Sequence, residues 1–262
     1  MPSISDQTFL HLSDLHLANT LDGLSYDVQA VGQLHRVLAA ARATDATPTC
    51  VIVSGDLSDR GEPGSYAVLR EIMPELEAFN VPVLIGLGNH DRRVPFRQVY
   101  LGEAEADEQA PYYYKRVVGD LHVFMLDSKV PGKVAGELGQ TQRDWLADEL
   151  TRTPHGQALI VLHHSVNLWG IRNGDEDELA DARELAEILA PHAVLGVLGG
   201  HLHFSVVAAY AGSVSITAPG VVNQWDPSCA TMRVNPWPGF NLCTVRGGRL
   251  LVNPIVLGPA QG

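Results

Sequence analysis

Five times along this chain a short run of apolar, largely β-branched residues stops at an aspartate, asparagine or histidine, and this arrangement limits the fold more than any other feature. The runs Thr8–Ser13, Thr49–Ser54, Val81–Leu87, Ala158–Leu162 and Val194–Leu198 have the length and composition of buried strands, and Leu121–Leu126 makes a sixth. Between them Val28, Val31, Leu34, Leu38 and Ala41 recur at helical spacing, as do Trp145, Leu146 and Leu150, and later Leu185, Ile188 and Leu189. Strands alternating with amphipathic helices predict an α/β sheet with helices packed on it. From Val206 to Leu257 no helical period is present. Short apolar runs at Val214–Thr217, Leu242–Val245 and Leu250–Val252 alternate there with Gly, Pro and Asn, which predicts a β-rich C-terminal segment from about 206 to 262.

No linker-like stretch interrupts the 262 residues, so a single domain over 1–262 is expected. The first residues lack a basic segment followed by an apolar one, and no apolar run is long enough for a membrane span; a cytoplasmic protein without a span is the expectation. Cys50, Cys229 and Cys243 are odd in number and outside any CxxC pattern, which argues against a disulfide framework or a thiolate zinc site and fits a reducing compartment. A net charge of -12 argues against affinity for long nucleic acid gained by neutralising many phosphates. A small anionic substrate stays compatible with it, because two bound cations would reverse the local field.

The residues that follow the strands are Asp14-Leu15-His16, Gly55-Asp56-Leu57-Ser58-Asp59, Gly88-Asn89-His90-Asp91, His163-His164 and Gly200-His201-Leu202-His203. Strand ends are where open α/β sheets build ligand sites. Each motif alone reads as readily as a cap or a turn; the joint occurrence carries the argument. The donors are imidazoles, carboxylates and one amide, without thiolates, a set suited to Fe, Mn, Zn or Co. A carboxylate such as Asp56 can bridge two cations, the arrangement that clamps both oxygens of an in-line displacement at phosphorus. Gly55, Gly88, Gly199 and Gly200 precede these donors, where tight turns would let them converge.

In order and completeness these five blocks resemble the signature of the calcineurin-like metallophosphoesterases, present here as DLH, GDLSDRG, GNHD, HH and GHLH over roughly residues 8 to 205. Within that family, Gly136-Glu137-Leu138 and the LHH strand look most like bacterial class III cyclic nucleotide phosphodiesterases. The resemblance implies an αββα sandwich of two mixed sheets flanked by helices. It also implies two divalent or mixed-valence metal ions, one held by Asp14, His16 and His203, the other by Asn89, His163 and His201, with Asp56 between them. The implied reaction is in-line attack of a metal-bridging hydroxide on a phosphodiester, expected to be a 3′,5′-cyclic nucleotide such as cAMP. His90 would assist at the phosphoryl or leaving group, with Asp91 orienting its ring; Asp59 and His164 read either as supports of the ligands or as satisfied structural polar groups. Two alternatives are a broader glycerophosphodiester, phospholipid or phosphomonoester hydrolase and a non-catalytic scaffold; the intact ligand set argues against the scaffold.

Outside the motifs, His11, His35, His122, His155 and His192 read as core or surface residues, and Asp127 as a turn former or a support of the site. Trp169 reads as core or as an overhang above the site, and Trp225 and Trp237 as a substrate wall or a homodimer contact. The acidic run Asp175 to Glu178 reads as a helix start.

Overall fold

The computed structural model of the chain describes residues 4–167, 178–228 and 233–259. Strand β1 (Gln7–Leu12) leads into a small hairpin, β2 (Leu24–Ser25) and β3 (Val28–Gln29), and then helix α1 (Ala30–Arg42). Next come β4 (Pro48–Val53), α2 (Pro63–Glu77), β5 (Val83–Ile85) and a single turn, α3 (Arg93–Pro95), that runs into π-helical residues Phe96–Leu101. A β6–β7 hairpin (Tyr114–Val118, Leu121–Met125) precedes α4 (Gln140–Thr151), β8 (Ala158–Val161), α5 (Ala182–Leu189) and β9 (Gly196–Gly199). The later strands are β10 (Val207–Tyr210), β11 (Ser213–Thr217), β12 (Gln224–Asp226), β13 (Arg233–Asn235), β14 (Gly239–Arg246) and β15 (Arg249–Val256).

Two mixed sheets result, ordered β15-β14-β1-β4-β5 and β10-β11-β9-β8-β7-β6. Side chains alternate across each strand. In β4, Val51 and Val53 face one cluster with Leu34, Leu38, Leu69 and Ile72 of α1 and α2, whereas Cys50 and Ile52 face the space between the sheets. There they meet Val123, Met125, Leu159, Val161 and Leu198 of the second sheet. On its far side that sheet packs Phe124, Ile160 and Val197 against Leu146 and Leu150 of α4 and Leu185 and Leu189 of α5. The layers are therefore α, β, β, α, as the resemblance implies. Because β4, β8 and β9 are covered on both faces, each reads as a near-continuous apolar run rather than an alternating one.

Four of the C-terminal strands join the two sheets: β14 pairs antiparallel with β1 from Gln7↔Val245 to His11↔Asn241 and with β15, and β11 pairs parallel with β9 and antiparallel with β10, whereas β12 and β13 pair only with each other. Strands β1, β4 and β5 are parallel, as are β7, β8, β9 and β11, so their C-terminal ends gather at one edge of the sandwich. Some boundaries differ from the sequence reading. Val28 lies in β3 ahead of the helix, and the strand expected over 81–87 is confined to Val83–Ile85. Of the acidic run, Asp175, Glu176 and Asp177 lie outside the described residues; Glu178 lies in a bend, and α5 starts only at Ala182. Among the described residues no helix is long and apolar enough to cross a membrane.

Candidate metal centre

The loops that leave β1, β4, β5, β8 and β9 bring the five motifs to one place. Asp14, His16, Asp56, His163, His201 and His203 are all buried. Three overlapping groups there can each hold a metal ion: Asp14, His16 and His203; His16, Asp56 and His90; and Asp56, His163 and His201, with the donor atoms of each group within 4.8 Å of one another. Asp56 Oδ2 is 3.5 Å from His16 Nε2 and 3.3 Å from His163 Nε2, which places one oxygen between the two ends of the cluster. At one end His16 Nε2 and His203 Nε2 are 3.1 Å apart, with Asp14 Oδ1 3.5 Å from the latter. At the other, Asn89 Oδ1 lies 3.2 Å from His163 Nε2 and 2.9 Å from His201 Nδ1.

Tight backbone makes this convergence possible. Asp14, His16, Asp56, His201 and His203 all have positive φ, between 43° and 71°, a region that side-chain-bearing residues enter at a cost of order 1–3 kcal/mol each. Two glycines are required by close approach: a Cβ on Gly88 would lie 2.2 Å from Asp56 Oδ1, and one on Gly200 would lie 1.8 Å from Ser13 Oγ. Backbone donors steer the carboxylates. His90 N–H donates to Asp56 Oδ1 at 2.9 Å, leaving Oδ2 turned to the cluster, and His201 N–H donates to Asp14.

The electrostatics call for positive charge. Burial disfavours an ionised Asp56, yet His163, His16 and His90 outweigh it and hold the carboxyl well below its usual range. Burial likewise opposes charge on His163, but Asp56, Asp14 and Asp91 lift its pKa to about 9. His16 is raised too, its burial overcome by Asp59, Asp56 and Asp14. The other two rings stay neutral: burial, joined by repulsion from His163, takes His201 down to about 3, and burial takes His203 to about 4 against the pull of Asp14. A protonated His163 thus supplies part of the charge that two cations would supply. The donor set, thiolate-free and with one carboxylate oxygen between two clusters, fits such a pair.

The supporting residues depart from expectation in one respect. Asp91 does not orient the His90 ring; its oxygens accept from Leu57 N–H, Ser58 N–H, Gly88 N–H and the Tyr66 hydroxyl, tying the loops after β4 and β5 together. A side chain already saturated by backbone donors has no reason to turn toward a neighbouring ring. Burial and the Asp56 charge push its pKa up to about 6, so it is ionised at neutral pH. The His90 ring is held instead by the backbone: Nδ1 donates to the Asp59 carbonyl at 2.6 Å, which directs Nε2 away from it. Asp59 Oδ1 lies 3.6 Å from His16 Nδ1. His164 donates from Nε2 to the Val134 carbonyl and accepts from Ser128 at Nδ1, while its ring packs against His163 and His201.

Around the centre stand residues named from the sequence, such as Trp225 and Asp127, and others that it does not single out, Asn223 and Lys129 among them. Asn223, buried immediately before β12, meets His203 Nδ1 at 2.7 Å. Trp225 stacks on His203 with centroids 4.6 Å apart and planes 8° apart, so this tryptophan backs the centre. Lys129 Nζ donates to the Asn89 carbonyl at 2.9 Å. Asp127 is no mere turn former: Arg93 grips both its oxygens in a buried ion pair, with Nε 2.7 Å from Oδ2 and Nη2 3.0 Å from Oδ1. His11 is a core residue between Ser54 and Asn241. Trp169 lies outside the described residues.

The relatives of this chain point the same way. It is 38% identical over 205 residues to a probable cyclic nucleotide phosphodiesterase of Rhodococcus erythropolis, covering 78% of this chain and 67% of that protein. It is 32% identical to a cAMP/cGMP dual specificity phosphodiesterase of Mycobacterium tuberculosis, over 79% of this chain and 65% of that one. The chain thus spans about two thirds of the length of these relatives. Among solved structures, a purple acid phosphatase from yellow lupin superposes with a TM-score of 0.64 at 13% identity, covering 96% of this chain and 51% of that one. PhoD superposes with a TM-score of 0.60 at 11% identity, over 97% and 70% of the two chains, and both likenesses are of fold. The family model for calcineurin-like phosphoesterases matches residues 7–205, a span that contains all five motifs, and the chain belongs to that family.

Proposed function

We propose that this chain is a divalent-metal-dependent phosphodiesterase acting on 3′,5′-cyclic nucleotides through a dinuclear centre. One observation carries the reading: Asp56 Oδ2 lies between two sets of buried donors, within 3.5 Å of His16 Nε2 and of His163 Nε2. Asp14, His16 and His203 would hold one cation, Asn89, His163 and His201 the other, and Asp56 both. When bound, such a pair polarises the phosphoryl group and lowers the pKa of water toward neutrality.

The chain's own groups do the rest. Asp14 and Asp56, held by backbone N–H groups, fix the donor geometry before any substrate arrives. His90, half-buried at the edge of the cluster with Nδ1 committed to Asp59, has Nε2 left to meet a phosphoryl oxygen or to protonate the departing alkoxide. The cyclic nucleotide assignment is supported by the relatives' names, cyclic nucleotide and cAMP/cGMP phosphodiesterases. A homodimer through the C-terminal strands and a cytoplasmic location belong to the same proposal.

The test is kcat/KM of Mn²⁺-reconstituted protein for cyclic AMP beside bis(p-nitrophenyl) phosphate. High values on both are expected. Turnover of the generic diester alone would sink the cyclic nucleotide assignment, and silence on both would sink the enzymatic reading.

A further inference from the structure

We infer that Tyr26 is a substrate-contacting residue of the proposed diester site, its phenol donating a hydrogen bond to an oxygen of the bound phosphodiester. The inference rests on the phosphodiesterase reading and adds to it a residue outside the five motifs.

Tyr26 sits where a tyrosine is costly. Ser25↔Val28 is the closing pair of the β2–β3 hairpin, so Tyr26 and Asp27 form its two-residue tip, and both have positive φ, 50° and 61°. Such a turn is met at least cost by Asn-Gly; a bulky aromatic at its first position signals strain tolerated for a purpose. The hairpin is aimed. Ser25 Oγ donates to Asp59 Oδ1 at 2.8 Å, and that same oxygen lies 3.6 Å from His16 Nδ1. The turn is therefore registered on the proposed metal centre through two side chains.

The ring lands on the ligands. Its centroid is 5.1 Å from that of His16 and 5.8 Å from that of His203, edge-to-face in both cases. It is nevertheless 37% exposed, whereas His16 is fully buried and His203 nearly so. Tyr26 thus reaches from solvent to the donor cluster. The phenol is a hydrogen-bond donor in its ordinary protonated form, and Asp14 and Asp56 carry the negative charge of the cluster it faces. Cations bound by those carboxylates would offset their repulsion of a phosphate, and a neutral donor beside them adds attraction without adding charge.

The deciding experiment compares wild type with Tyr26→Phe and Tyr26→Leu, all loaded with Mn²⁺. Calorimetry would measure inorganic phosphate binding, and kinetics would follow cyclic AMP and bis(p-nitrophenyl) phosphate. Tyr26→Phe keeps the ring and loses only the hydroxyl. We expect it to retain wild-type Mn²⁺ content, to bind phosphate about 10-fold to 100-fold more weakly, and to show a raised KM. Wild-type phosphate affinity and KM in Tyr26→Phe, with Mn²⁺ lost only from Tyr26→Leu, would overturn the inference and leave Tyr26 a packing residue. Should wild type cleave only the generic diester, the cyclic nucleotide reading falls while the phosphate and generic-diester comparison still decides Tyr26.

Discussion

Asn223 Oδ1 accepts the Nδ1 proton of His203 at 2.7 Å, and so fixes which nitrogen of that imidazole faces the candidate metal centre. A ligand histidine needs its other nitrogen occupied in this way to hold tautomer and ring orientation. Asn223→Ala should therefore weaken cation affinity by about 10-fold to 100-fold. Titration against a chelator of known affinity, on wild type and variant, checks it. Unchanged affinity would mean that the Trp225 stack alone fixes the ring.

Removing Asp127 leaves Arg93 as a buried charge without its partner, along with Tyr112 N–H and Lys129 N–H that also donate to it. Breaking such a pair from one side costs about 3–5 kcal/mol. Urea denaturation of Asp127→Ala should show a loss of that size, and a loss below about 1 kcal/mol would contradict a structural role for the pair.

Cation uptake should depend on pH through His163. Its pKa is raised to about 9 without a cation, so near neutral pH the ring is protonated, and a cation must displace that proton to bind. Apparent Mn²⁺ affinity should rise with pH by up to about tenfold per unit, flattening above the raised pKa. Calorimetric titration in buffers of different ionisation enthalpy would register the released proton. Equal heats in every buffer would refute the displacement.

His90 and Asn89 are neighbours with separable roles. His90→Asn should keep both cations and slow turnover by about 10²-fold to 10⁴-fold, the usual range for loss of an acid–base group. Asn89→Ala should lower metal content at the His163 and His201 end. Elemental analysis beside turnover distinguishes the two, and wild-type turnover in His90→Asn would remove that residue from the mechanism.

How much of this was legible in the sequence depended on where the physical cause lay. The central strands could be read because burial on both faces leaves a near-continuous apolar run, and the centre could be located because its donors follow those runs at once. Helix α2 was missed because it opens on Pro63-Gly64 and carries Pro74 inside, the residues that ordinarily mark a boundary. Pro63 in fact occupies the first turn, where its missing N–H costs nothing. Asn223 and Tyr26 act through rings on distant loops, and no local pattern announces such a contact. Asp91 was misread because adjacency to His90 suggested a partner, whereas the partners lie on the loop after β4 and on α2.

The seating of β14 beside β1 orders events at synthesis. Gln7 pairs with Val245, so one whole edge of the strand that delivers Asp14 and His16 stays open until nearly all the described chain has left the ribosome. Loop closure over such a separation is slow, and an unpaired apolar strand is exposed to wrong partners meanwhile. Assembly of the first sheet is therefore expected only after translation of β14, with protease resistance of β1 in stalled nascent chains appearing only once residues through Arg246 have emerged.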